Sequence, residues 1–212
     1  MKELLELLEN PFDMVSKGNR NEFQKKCDII AQELFRNYCI KCDDKKEYSF
    51  AEIEFYYYEK GIWEEEWNKV TYARDDYKAG ALFYHLSGID ICFDSHYKNQ
   101  PAKFGGVLIR AIRNEKGIII AGPLTCKDEI LNACKCGTMP QLSRATHTHH
   151  VDIKSTYRAL GKDDTDKEND RLCFFDSLVT DWNPNKKRYN TKKGSIEPKK
   201  GAYKTNRFNV SN

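Results

Sequence analysis

Apolar residues along the chain recur first at helical spacing and then at the two-residue alternation of strands. Met1 to Leu8 sets its leucines three and four apart, and Asn10-Pro11 ends that helix. Asn21 to Tyr38 reads as a second amphipathic helix, with Phe23, Cys27, Ile30, Leu34 and Tyr38 on one face. Ile40-Lys41 opens a strand, and Asp43-Asp44-Lys45-Lys46 is a turn. Tyr48 to Tyr58 is dense in aromatic and β-branched residues and predicts a strand. Ala81 to Asp94 and Gly106 to Arg113 predict two more, with a polar loop from Ser95 to Lys103 between them. Ile118 to Ala121 is a short fourth, broken by Gly122-Pro123, and Thr125 caps a helix from Lys127 to Ala133.

Past Cys136 the pattern fades. Ser155 to Arg158 reads as a capped turn, Asp163 to Arg171 as a charged loop and Leu172 to Val179 as a strand. From Asn183 onward a basic, loop-rich tail ends in an edge strand near Tyr203 to Val210. No internal repeat is present. Strands outnumber helices and short loops join them, which predicts one α+β domain over residues 1–212. Its sheet is curved, mostly antiparallel and flanked by helices.

The stretch richest in chemistry is Ala51-Glu52-Ile53-Glu54-Phe55-Tyr56. Alternate strand residues share a face, so Glu52, Glu54 and Tyr56 point one way and Ile53 and Phe55 the other. Neighbouring carboxylates repel, which favours holding a proton. In a cleft, one carboxylate takes a proton from water while the other orients it. Cleavage of a sugar–base bond passes through an oxocarbenium-like transition state that a carboxylate stabilises. The other reading is an exposed strand face with solvated glutamates.

Bulk properties narrow the partners. No apolar run approaches the roughly 20 residues of a membrane helix, and Met1-Lys2-Glu3-Leu4-Leu5 is no secretory signal. The expectation is a soluble, cytoplasmic protein whose 8 cysteines are free thiols. The net charge of +3 does not by itself demand a nucleic-acid partner. Acids cluster at Glu64-Glu65-Glu66 and from Asp163 to Asp170. Bases cluster in the tail at Lys186-Lys187-Arg188, Lys192-Lys193 and Lys199-Lys200, either as a phosphate-tracking stripe or as a solvated face. Cys134, Cys136, His147, His149 and His150 are soft-ligand candidates at irregular spacing, and no metal is expected of them. Cys39 and Cys42 lack a partner pair and read as ordinary thiols.

The order of these elements resembles the alkyladenine (3-methylpurine) DNA glycosylase family. Ile30-Ala31-Gln32-Glu33-Leu34-Phe35, a strand, and then Ala51 to Tyr56 resemble that family's helix followed by V-E-T-E-A-Y. Ala79 to Tyr84 resembles P-G-x-L-Y-V-Y, and Gly88 to Asp94 resembles G-x-x-x-C-x-N. Gly106 to Ile112 resembles V-L-I-R-A-L, with Gly122-Pro123 as the following G-P. The match runs from about Ile29 to Ala133. It implies that Glu54 is a general base supported by Glu52, and that Tyr56 and Tyr84 sandwich a flipped base. Asp94 would read the base edge, and Arg110 would hold the nucleotide's phosphate side. No cofactor and no metal are implied.

The chain departs from the family in three places. Ser87 stands where a bulky wedge enters the duplex. No histidine lies between Tyr58 and Tyr77, a span that instead holds Trp63, Trp67 and Tyr72. Asp94 replaces asparagine and only accepts hydrogen bonds, favouring donor-rich purine edges. All three losses concern duplex DNA. The expected function is hydrolysis of a purine N-glycosidic bond in an unstacked substrate, either single-stranded nucleic acid or a free nucleotide. The alternative is a protein that binds or sequesters a nucleotide-like ligand in the same pocket without cleaving it.

Overall fold

The computed structural model describes residues 2–13, 15–43, 46–61, 63–64, 75, 77–96, 98, 102–135, 138–146, 151–158, 171–176, 180–183 and 188–191. The fold is mixed α+β, with a curled antiparallel sheet and, among the described residues, three helices. These are α1 (Lys2–Glu9), α2 (Arg20–Asn37) and α3 (Pro123–Ala133).

Two long strands form the spine, β2 (Lys46–Glu59) and β6 (Lys103–Arg113), paired antiparallel along their length. Shorter strands tile their outer edges. On the free edge of β2 lie β1 (Tyr38–Cys42), then β10 (Arg171–Asp176), then β3 (Trp63–Glu64). On the free edge of β6 lie β5 (Gly88–Cys92) and β7 (Ile119–Ala121). Beyond these come β4 (Leu82–His85) on β5, β8 (Gln141–Arg144) on β1 and β9 (Ile153–Arg158) on β10. A separate hairpin joins β11 (Thr180–Asn183) to β12 (Arg188–Thr191).

One sheet face is apolar. Ile53, Phe55 and Tyr57 of β2 share a core with Val107, Ile109 and Ile112 of β6 and Ile89 and Ile91 of β5. The predicted stripes of the first two helices close it with Leu4, Leu8, Phe23, Cys27, Ile30 and Leu34. Phe12, between α1 and α2, stacks on Phe23 at 4.4 Å and tilts against Tyr57 at 4.3 Å. Asn19 caps α2 by accepting the Glu22 N–H through its side chain at 3.2 Å, satisfying one of the donors a helix start leaves unpaired.

Three sequence expectations need correcting. Ala81 to Asp94 is a hairpin, not one strand, because Leu86-Ser87 reverses the chain ahead of Gly88. The third helix starts at Pro123 rather than Lys127. Gly122 takes a φ of 105°, open to glycine, and Pro123 needs no N–H partner in the first turn, so Thr125 is not the cap. Ser155 to Arg158 belongs to β9, which pairs with β10 from Ile153 through Arg158, and is no capped turn.

Candidate functional site

The second sheet face is also buried, but it is ionic. Nothing in β2 from Tyr48 to Tyr58 is exposed, so the solvated-glutamate reading fails. The register of β2 and β6 slips twice, between Phe50 and Glu52 and between Glu52 and Ile53. The ladder pairs Phe50 with Ile112, Glu52 with Ala111 and Ile53 with Ile109, leaving Ala51 and Arg110 unmatched. Such irregularities re-aim side chains and often sit beside functional sites. Here Arg110 reaches both glutamates, with Nε to Glu52 Oε1 at 2.8 Å and one terminal nitrogen to Glu54 Oε2 at 2.8 Å. Burial works against its charge, but Glu52 and then Glu54 outweigh that and raise its pKa above the ordinary arginine value.

Strand β10 completes the shell around Glu54. Cys173 pairs directly with Glu54, so Arg171, two residues earlier, shares its face. Arg171 donates to Glu54 Oε1 at 3.0 Å, and the Cys173 thiol lies 3.8 Å from Oε2. Glu54 itself is fully buried. The Arg171 guanidinium also lies over the Tyr56 ring, 5.2 Å from its centroid.

A second chain of contacts crosses the same face. Glu54 pairs with Leu108, and Leu108 with Asp90, so Glu54 and Asp90 lie in one row across β2, β6 and β5. The Tyr56 hydroxyl reaches over β6 to donate to Asp90 Oδ2 at 2.5 Å. It passes where Gly106 has no side chain, since a Cβ there would sit 3.1 Å from that hydroxyl and 2.7 Å from the Ile91 carbonyl oxygen. Asp90 Oδ1 faces His85 Nε2 at 3.1 Å. The other ring nitrogen, Nδ1, accepts the Ser87 N–H at 3.2 Å. A backbone amide only donates and a carboxylate accepts, so these two contacts define a neutral imidazole protonated on Nε2. Phe83 stacks on His85 at 5.6 Å. Lys127 of α3 holds the hairpin tip through the carbonyls of His85 and Leu86, at 2.8 and 3.1 Å.

The structure thus brings Glu52, Glu54, Tyr56 and Arg110 together. Three residues expected with them lie elsewhere. Tyr84 pairs with Ile89 and packs against the apolar core, on the opposite face from Asp90, which pairs with Phe83. An odd step along a strand changes face, so Phe83 and His85 flank this site and Tyr84 does not. Asp94 is half-buried and makes an ion pair with the exposed Lys78 at 3.5 Å. Ser87 is exposed at the turn and touches the cluster through its backbone N–H alone. Arg110 is placed with its guanidinium on the two glutamates rather than open to a phosphate.

Sequence reasoning missed His85, Arg171 and Cys173, and gave Asp90 no role in the site. The alternation Arg171, Cys173, Phe175 was the available signal for β10. Gly105-Gly106 in a strand was the signal for a close crossing. No metal-binding group occurs among the described residues. Cys136, His147, His149 and His150 lie outside them, as do the charged stretch 163–170 and the tail 192–212. All seven described cysteines are free. No described helix is long and apolar enough to cross a membrane. No family model, curated protein or solved structure matches the chain.

Proposed function

We propose that the chain hydrolyses the N-glycosidic bond of an unstacked purine nucleotide, with Glu54 as the base that activates water. The observation that carries the reading is the direct pairing of Glu54 with Arg110 beside Glu52 on one buried face. The two residues that the glycosylase resemblance makes base and arginine are one hydrogen-bonded unit. Arg110 and Arg171 hold the Glu54 carboxylate in one position, and a carboxylate away from bulk water interacts more strongly with a developing cationic sugar than one in water.

A second reading is binding without turnover, favoured by the sealing of Glu54. Substrate reaches it only if this face opens. The experiment is release of free base by wild type and by Glu54→Gln. Substrates are single- and double-stranded oligonucleotides carrying hypoxanthine or alkylpurines, and free purine nucleotides. Release lost in the variant supports the hydrolase. No release from any substrate, with a thermal shift from one of them, supports the binding protein.

A further inference from the structure

We infer that His85, held by Asp90, is the general acid of this site and donates its proton from Nδ1 to the departing purine. The inference rests on the hydrolase reading above. It begins with the ring's two contacts. With Nε2–H on Asp90 and Nδ1 accepting from Ser87, the imidazole has no place for a second proton. A proton on Nδ1 would point at an amide N–H. The charged ring therefore forms only when Ser87 N–H gives way to an acceptor, and a purine ring nitrogen is such an acceptor. Ser87 lies in the exposed two-residue turn of the hairpin, where the backbone can yield, and the His85 side chain is itself 13% exposed.

Glu52 and Glu54 pair with Arg110, Glu54 also pairs with Arg171, and Asp90 pairs with His85. Around the ring stand Asp90 from β5, the Tyr56 hydroxyl from β2 behind it, the Phe83 ring from β4 and Lys127 from α3 on its carbonyl. Asp90 stabilises the imidazolium and Lys127 opposes it, while Tyr56 and Phe83 fix the two groups in place. Asp90 is a positioning residue.

The step balances. Glu54 takes a proton from water as the water oxygen bonds to the anomeric carbon. The bond from that carbon to purine N9 breaks, its electron pair staying with the base. His85 Nδ1–H gives its proton to a purine ring nitrogen. The products are a neutral base and a sugar hydroxyl, with Glu54 protonated and His85 neutral until solvent exchanges the proton between them.

The test compares two leaving groups on single-stranded oligonucleotides. Hypoxanthine departs neutral only if it is protonated, whereas 7-methylguanine is already cationic and needs no acid. His85→Gln is expected to slow hypoxanthine release by about 10²- to 10⁴-fold and 7-methylguanine release by far less. In the wild type, hypoxanthine release is expected to fall as pH rises. That falling limb is absent for 7-methylguanine. Equal effects on both bases would show a structural role and overturn the inference while the hydrolase stands. No release of either base by the wild type, from these oligonucleotides or from the free purine nucleotides, would overturn both. Should His85→Gln fail to fold, Asp90→Asn carries the same discrimination. The ¹⁵N spectrum of the wild-type imidazoles gives an independent reading. Nδ1 of His85 is expected unprotonated in the free protein at neutral pH, and finding the proton there would overturn the relay.

Discussion

The two faces of one sheet are equally buried and do opposite things. On the face of Ile53, Phe55 and Tyr57, burial supplies stability, because each side chain leaves water for an apolar neighbour. On the face of Glu52, Glu54 and Tyr56, burial removes hydration from five charged groups, and only mutual hydrogen bonds compensate. The first face would suit many sequences of the right volume. The second tolerates few, since each charge has a named partner. Such an ionic arrangement adds little to stability beside a serviceable apolar core, which is why the proposed function is placed on this face.

The largest effects should distinguish the faces by kind rather than by size. Phe55→Ala is expected to destabilise by about 3–5 kcal/mol through a cavity. Glu54→Gln is expected to destabilise by a similar 3–5 kcal/mol, because Arg110 and Arg171 lose a buried partner. Urea unfolding measures both. Activity per folded molecule separates them, surviving in Phe55→Ala and vanishing in Glu54→Gln. Were Glu54→Gln to leave stability unchanged, the ionic face would be less tightly coupled than its geometry implies.

A sharper test removes the linked charges of Glu52, Glu54, Arg110 and Arg171 together. Glu52→Leu and Glu54→Leu, combined with Arg110→Met and Arg171→Met, exchange charges for apolar groups of similar volume. Replacements of this kind leave stability unchanged or raise it by about 1–4 kcal/mol. The expected product is a well-folded, inactive protein at least as resistant to urea as the wild type. A product that fails to fold would mean that the ion network specifies the strand register of β2, β6 and β10 and not only the chemistry.

Next comes Gly106→Ala, which touches the crossing between the faces. The added methyl meets the Ile91 carbonyl oxygen at 2.7 Å, and backbone in mid-sheet gives little. A loss of about 1–3 kcal/mol is expected. Tyr56 would be displaced from Asp90, so hypoxanthine release should fall by more than the loss of folded protein explains.

How much of this was legible beforehand differs between the faces as well. Helix stripes and the alternation of β2 follow from local periodicity, and α1, α2, β1, β2 and β6 lie where the pattern puts them. Glu52, Glu54 and Tyr56 were legible from the alternation of β2, and Arg110 only through the family resemblance, since the ladder beside it is irregular. Arg171 was not, being 117 residues from its partner Glu54 and following a run of charged residues in the sequence. His85 and Asp90 were obscured by reading Ala81 to Asp94 as one strand. Without the turn at Leu86-Ser87 the alternation gives no pairing, so Tyr84 and Phe83 exchange faces. A single residue of register decides which aromatic ring meets the site, and register is a tertiary property.

The smallest expected effect compares two phenols packed against the apolar core. Burial, with Cys134 and Cys42 adding to it, pushes the Tyr84 hydroxyl up to about 12 from an ordinary value near 10. Burial also raises the Tyr57 hydroxyl, which donates to Glu59 at 2.6 Å. A phenol whose pKa is higher folded than unfolded stabilises the fold fully below the unfolded value. That contribution is lost as pH rises through the folded one. Stability should therefore hold up to about pH 10 and fall between pH 10 and 12. Substitution then separates the two tyrosines. The Tyr84 hydroxyl has no hydrogen-bond partner among the described residues, so Tyr84→Phe removes a buried orphan. It should leave stability at pH 8 unchanged or slightly higher and flatten the alkaline slope. Tyr57→Phe removes a bond to a carboxylate and should cost about 1.5–3 kcal/mol at pH 8 while flattening the same slope. Urea midpoints at pH 8 and pH 11 read both quantities. If the two variants behaved alike at pH 8, the Tyr84 hydroxyl would have a partner in solution, and the apolar face would be less dry than its packing implies.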